Sequence, residues 1–239
     1  MKTLNKLISI VLTAVLVLSL CACSLTIGTH KTKTDVCIKV NSEPLDKEYI
    51  AYFFYVAKMS MISEAGYTAD NSSEKDIELY WKTTEIEGVN AVDVARDVAA
   101  DNAVFQKVQY LKAVEEGIVL SDEQLSMIEA NIQDAALNNG GTKNFEKLLE
   151  DMGTDMLSYK QIITENVYIS ELYNLYDSKN MLEITDEEFN AFIDNHSQEY
   201  APEMMLDAAK KDKFNSIAKK WETDADIIIN DEAMKQFEV

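Results

Sequence analysis

Glycine and proline are scarce, 7 and 2 in 239 residues. Tight turns lean on both, so the chain is expected to run in long helices with few reversals. No glycine follows Gly153, which argues against a compact β-rich or α/β module in the last third. Histidine is scarcer still, with only His30 and His196. A Ser/His/Asp set would have to be built on the tether histidine His30 or on the lone His196. His196 lies near Asp194 and Glu199, a weak metal pattern that also describes an exposed histidine at a helix end. Phosphate loops, dinucleotide fingerprints and paired-cysteine zinc spacings are absent. Asp70, Ser72, Glu74 and Asp76 alternate as in a calcium loop. Lys75 then stands where the turn glycine belongs, and Trp81 where the bidentate Glu belongs, so the loop is rejected. The carboxylates are spaced as solvated helix faces, with no pair singled out for acid/base work. The chain is therefore read as a non-enzyme with no catalytic residue, metal or cofactor. Positive charge is also short: 22 basic against 42 acidic residues, for a net charge of −20. This disfavours nucleic acid as a partner, because phosphate binding needs a cationic face.

Long apolar runs are confined to the N-terminus. Lys2 and Lys6 precede an apolar stretch from Leu7 to Leu20 that is too short to span a bilayer comfortably. Its end, Leu20-Cys21-Ala22-Cys23, resembles the lipobox of bacterial lipoprotein signal peptides: an apolar residue at −3, a small one at −1, then the lipidated cysteine. Cys21 at −2 departs mildly from that pattern. Residues 1–22 are thus expected to be a removed leader, with Cys23 as the lipidation site. An ordinary secretory signal or an uncleaved anchor is the alternative. Lipoprotein modification adds at least two acyl chains, enough for stable anchoring. Residues 23–34 would be a polar tether and 35–239 the folded domain. Cys37 is then left alone on an apolar strand, so no disulfide is expected and stability must come from packing.

The rest is helical in pattern. Ala91 to Gly117 is the longest such stretch. Its polar residues Asp97, Asp101, Asn102, Gln106, Gln109, Lys112 and Glu116 form one stripe, and most of the remaining circumference is apolar. Such a helix should be clasped by neighbours on several sides. Ser121-Asp-Glu-Gln124 and Thr185-Asp-Glu-Glu188 read as capping boxes that start helices. Further helices are expected from Asp46 to about Ala65, Ile77 to Thr84, Asn144 to Met152, Thr154 or Asp155 to about Asp177, and Met204 to Trp221. Asn41-Ser-Glu-Pro44 is read as a turn. Val36–Val40 and Ile227–Ile229 are the two expected strands, paired to close the chain ends together. The helix after Asp46 is rich in aromatics and methionine. Tyr52, Phe53, Tyr55, Met59 and Met61, with Tyr173 and Tyr176 later on, are candidates to line an apolar binding groove. Core packing is the alternative for each of them, since a docked helix cannot expose every face.

The order of phrases resembles a known family. A lipoprotein leader is followed by a strand ending Val40-Asn41 with Glu43 two residues on, a Tyr/Phe-rich helix and the pair Tyr80-Trp81. Then come Lys107-Val-Gln-Tyr-Leu-Lys-Ala-Val-Glu-Glu-Gly-Ile118, Leu120-Ser-Asp-Glu-Gln-Leu125, Phe145-Glu-Lys-Leu-Leu-Glu-Asp-Met-Gly153, and Ile184-Thr-Asp-Glu-Glu188 with Tyr200 beyond. This looks like the N-terminal chaperone domain of the SurA/PrsA-type foldases. The resemblance implies a mostly α, multi-helix domain with a small two-stranded sheet. It also implies a lipid-anchored protein on the extracytoplasmic face of a bacterial cell membrane that binds unfolded or secreted polypeptides. In such foldases a parvulin prolyl-isomerase domain follows the position of Tyr200. Here Ala201 to Val239 hold no Gly and no His, whereas parvulin sites use both. Lys213–Trp221 and Ala225–Asn230 instead resemble the tail that returns to the chaperone domain. The resemblance thus implies a chaperone without isomerase activity; an adaptor for one dedicated partner is the alternative.

Overall fold

The computed structural model describes residues 36–68, 71–196 and 200–238. The expected leader, Cys23, the tether with His30, Asp70 and Glu199 lie outside them. β1 (Val36–Val40) turns through Asn41 and Ser42, whose φ values of 49° and 72° form a two-residue hairpin turn that matches strand twist. The chain then enters β2 (Glu43–Asp46), antiparallel to β1. The reading of Asn41–Pro44 as a bare turn, and hence of a two-stranded sheet, is corrected here. Pro44 belongs to a strand because β2 is at the edge of its sheet, where a missing N–H breaks no required bond.

α1 (Lys47–Glu64) starts at Asp46, whose carboxylate accepts from the Tyr49 N–H at 3.0 Å. α2 (Glu74–Thr83) opens on a reciprocal Ser73–Asp76 cap. β3 (Glu85–Ile86) and β4 (Val89–Asn90) form a small hairpin around Glu87 and Gly88 that the hydrophobic pattern did not signal. α3 (Ala91–Glu115) follows, and Gly117 lets the chain leave it at a φ of 76°. α4 (Asp122–Asn138) carries the expected Ser121–Gln124 capping box. α5 (Thr142–Asp151) and α6 (Met156–Ser178) come next. α7 (Asp186–His196) has its own box: the Thr185 N–H donates to Glu188 at 2.8 Å, and Thr185 Oγ1 accepts the Glu188 N–H at 3.2 Å. After a 3-10 turn at Pro202–Met204 come α8 (Met205–Asp224), β5 (Ile227–Ile229) and the short α9 (Asp231–Met234). The fold is mostly α, as expected.

β5 pairs antiparallel with β1, Ile38 opposite Ile229 and Val40 opposite Ile227. The Asn41 N–H donates to the Asp226 carbonyl and the Asn230 N–H to the Cys37 carbonyl, each at 2.8 Å. The two ends of the described chain are thereby fastened together. α3 is packed by α1, α2, α6, α8 and β1, which is the expected clasp. Its polar stripe is only partly solvated. Asp97, Asp101 and Asn102 are exposed, Gln106, Lys112 and Glu116 are half-buried, and Gln109 is buried. Burial of Gln109 is tolerated because its amide donates back to the Phe105 carbonyl at 3.1 Å.

Buried side chains fall into two groups. The first joins β1, α1, α2, the N-terminal part of α3 and the tail, with Ile38, Tyr49, Phe53, Trp81, Ala99 and Phe237 among its members. The second joins α4, α5, α6, α8 and the end of α3, including Phe145, Leu149, Tyr168, Leu172 and Phe214. Tyr52 and Trp221 pack against both.

Candidate functional site

The seven side chains expected to line a groove do not face outward together. Phe53, Tyr55, Met61 and Tyr176 are buried, while Tyr52, Met59 and Tyr173 are half-buried. Phe53 and Met61 belong to the first core and Tyr176 to the second. Met59 packs on the first core, Tyr173 on the second and Tyr52 on both. The physical reason is that α1 meets the sheet, α3 and α6 at once, so no wide face of it is left for a ligand. Burial drives the phenols up: Tyr52 strongly, with Tyr159 adding to it, and Tyr55 to about 12. The Tyr173 hydroxyl, raised to about 12 by burial and then by Asp207, bonds Asp207 at 3.4 Å. These are neutral packing groups at any physiological pH. Cys23 lies outside the described residues.

Sequence reasoning missed a polar cluster between the two cores. Lys107 of α3 and Glu165 of α6 are both buried and form an ion pair. Tyr49 donates to Glu165 Oε2 at 2.5 Å, and Gln161 donates to Glu165 Oε1 at 3.0 Å. The Lys107 ammonium lies 5.1 Å from the ring centre of Tyr49 and 4.9 Å from that of Tyr110. Gln106 bridges to the Tyr49 hydroxyl at 3.5 Å and to the Ile162 carbonyl at 3.3 Å. Burial, then the Glu165 charge, pushes the Tyr49 phenol well above its ordinary value. Both carboxylate oxygens of Glu165 and the ammonium are engaged, so the cluster has no open position for a substrate. It is a satisfied internal network. Lys107 and Glu165 are 58 residues apart, and at helical spacing each looks like any other surface charge.

An open concavity lies at the boundary of the first core, beside the turn between β1 and β2. It is a groove of about 470 Å³, within the range of small-ligand sites. Its floor is apolar: Val108 and Leu111 from α3, and Trp221 and Ala225 from the end of α8 and beyond. Val108 is buried, and the other three are half-buried. Asn41, Glu43, Lys112, Glu115 and Asp224 form the rim. The Lys112 charge is already met by Glu115 at 3.1 Å and Glu116 at 3.3 Å. Glu43 and Asp224 are exposed and make no ion pair among the described residues. The sequence carried part of this signal, since Trp221 sits at the polar end of its helix, but nothing in the spacing joins it to Leu111.

Among the described residues, no group of three or more His, Cys, Asp or Glu side chains is placed to hold a metal ion. No helix among them is long and apolar enough to cross a membrane. No family model matches the chain, and no curated protein matches it.

Proposed function

We propose that this chain is a lipid-anchored, extracytoplasmic chaperone of the SurA/PrsA type that holds unfolded or exported polypeptides without isomerising their prolines. The observation that carries this reading is the groove, in whose floor Trp221 and Leu111 are only partly buried. A holding protein needs apolar surface that stays available while its own core is closed. Further apolar side chains stand exposed elsewhere: Val119, Leu137, Met204, Leu206 and Ile228 are each more than half accessible. The lipobox-like Leu20–Cys23 supports the anchor.

The test is aggregation of a denatured reporter protein, followed by light scattering. The full chain, carried in phosphatidylcholine nanodiscs, is expected to suppress aggregation at near-equal molar ratio. Failure to slow aggregation, together with tight binding of one folded partner, replaces the chaperone reading with that of a dedicated adaptor. Cys23→Ala tests the anchor separately: acyl labelling should vanish, and unchanged labelling contradicts the assignment.

A further inference from the structure

We infer that the groove takes an extended polypeptide segment in which a lysine or arginine stands beside a large apolar side chain. The inference deepens the client-holding reading and rests on it for where such segments come from. Val108, Leu111, Trp221 and Ala225 offer an apolar floor but no hydrogen-bond donor or acceptor except the indole N–H. The part of an occupant that reaches this floor is therefore apolar, while the rim takes polar groups. The volume of about 470 Å³ suits one large side chain and its immediate neighbours rather than a folded surface.

Charge at the mouth selects the neighbour. Lys112 is balanced by Glu115 and Glu116, which leaves Glu43 and Asp224 as the uncompensated charges on the rim. Their field adds to that of a chain with a net charge of −20. A segment carrying Asp or Glu next to its apolar residue meets like charge there, while a Lys or Arg finds a carboxylate. A cationic head can also lie over the face of Trp221. One side of this site belongs to the β1–β2 turn and the other to α3 and α8. It therefore exists only when the strand ends are paired and the last long helix is docked.

The test uses three short soluble peptides: one of Phe, Lys and Ser, a second with Glu for each Lys, and a third with Ser for each Phe. Binding to the full chain in phosphatidylcholine nanodiscs is read by calorimetry and by tryptophan fluorescence. Trp81 is buried at 4% exposure, so a peptide-dependent change reports Trp221. The Phe/Lys peptide is expected to bind roughly ten-fold tighter than the Phe/Glu peptide, because like charges across an interface are disfavoured. The Phe-free peptide should leave the fluorescence unchanged. Glu43→Gln with Asp224→Asn should weaken the Phe/Lys peptide by about five-fold, the combined value of two exposed ion pairs. Both positions are exposed and make no ion pair among the described residues, so the variant should melt as the wild type does. Equal affinity for the Lys and Glu peptides, or no loss in the double variant, overturns the inference. If the Phe/Lys peptide does not bind while aggregation is still suppressed, the groove is wrong and the chaperone reading stands. If it binds with the stated preference and nothing is suppressed, the groove stands and the chaperone reading falls.

Discussion

In the first core α3 contributes small side chains: Ala91, Ala95, Ala99, Ala100 and Ala103 are all buried there. Four of the five recur every fourth residue, which makes a low ridge that lets a neighbouring helix approach closely. α1 fills that space with Tyr49, Phe53 and Phe54. In the second core α3 contributes only Ala113 as a buried member. The bulk comes from α6, through Tyr159, Ile163, Val167, Tyr168, Leu172 and Tyr176, and it meets large residues such as Phe145 and Phe214 in edge-on aromatic pairs. Small against large packs α1 onto α3 beside the sheet; large against large joins the helices of the second core through ring contacts. The Lys107–Glu165 network runs along the seam between them, with Ile162 in one core and Ile163 in the other. The groove opens where the first style ends, and its Trp221 is one of the residues packed on both sides. The groove thus arises from incomplete packing at a boundary, beside the β1–β2 turn.

The largest expected effect comes from removing what closes the first core. Deleting Ala225 to Val239 removes β5, the strand paired with β1, and the buried Ala233, Met234 and Phe237. Burial of a large apolar side chain is worth about 1.5–3 kcal/mol, against a total stability of about 5–15 kcal/mol for a typical domain. Cooperative melting of the whole domain should be lost or fall steeply, because α3 is shared by both cores. A truncated chain with an unchanged melting curve would show that the tail is ornamental and that the cores stand without it.

The seam comes next. Glu165→Ala leaves the Lys107 ammonium buried without its carboxylate and should cost about 3–5 kcal/mol in denaturant unfolding. Replacing both partners, Lys107→Met with Glu165→Leu, should recover part of that loss, the remainder being the buried Tyr49 hydroxyl left without its acceptor. If the single variant costs less than about 1 kcal/mol, water reaches the pair and the seam is not a boundary between dry cores.

Much of the frame was legible in the sequence because it is written in local chemistry. Ser121 with Gln124 and Thr185 with Glu188 announce helix starts through reciprocal caps that need only a three-residue spacing. Gly117 and Gly153 announce exits because both adopt positive φ. β1 and β5 were readable from their β-branched runs, and their pairing from the lack of other partners. β2 was not, because Pro44 argues against a strand unless the strand is known to lie at an edge, which is a property of the sheet. The aromatic residues of α1 stood out in the sequence, which left their direction open between core and groove. Their outward or inward sense depends on what α6 and the sheet do, which no single helix records. Lys107, Leu111 and Trp221 illustrate the same limit at the two sites. Each is unremarkable in its own helix and gains meaning only from a partner far away in sequence.

The smallest effect concerns the part of the second core's periphery that is held by charge. Among the described residues, α7 buries no side chain. It is attached to α8 through Lys213, whose ammonium donates to Glu188 at 2.8 Å and to the Glu183 carbonyl at 2.7 Å. The Lys213 bond first, and then the Thr185 N–H, holds the Glu188 carboxyl down at about 2, below its ordinary 4.5. A carboxyl depressed in the docked state favours docking at any pH above its free value, and that contribution is lost as pH falls from about 4.5 toward 2. Across that window the undocked helix takes up a proton that the docked one resists. Amide chemical shifts of α7 should therefore move toward undocked values between those limits, ahead of the shifts of α1 and α6, which rest on apolar contacts. Added salt should mimic part of the change at neutral pH, because the pair is exposed. Glu188→Gln removes the titrating group, and its α7 shifts should be flat over the same window. If the wild-type shifts are equally flat, α7 is held by its apolar residues Phe189, Phe192 and Ile193 instead, and the contrast between a charge-held edge and apolar cores does not hold.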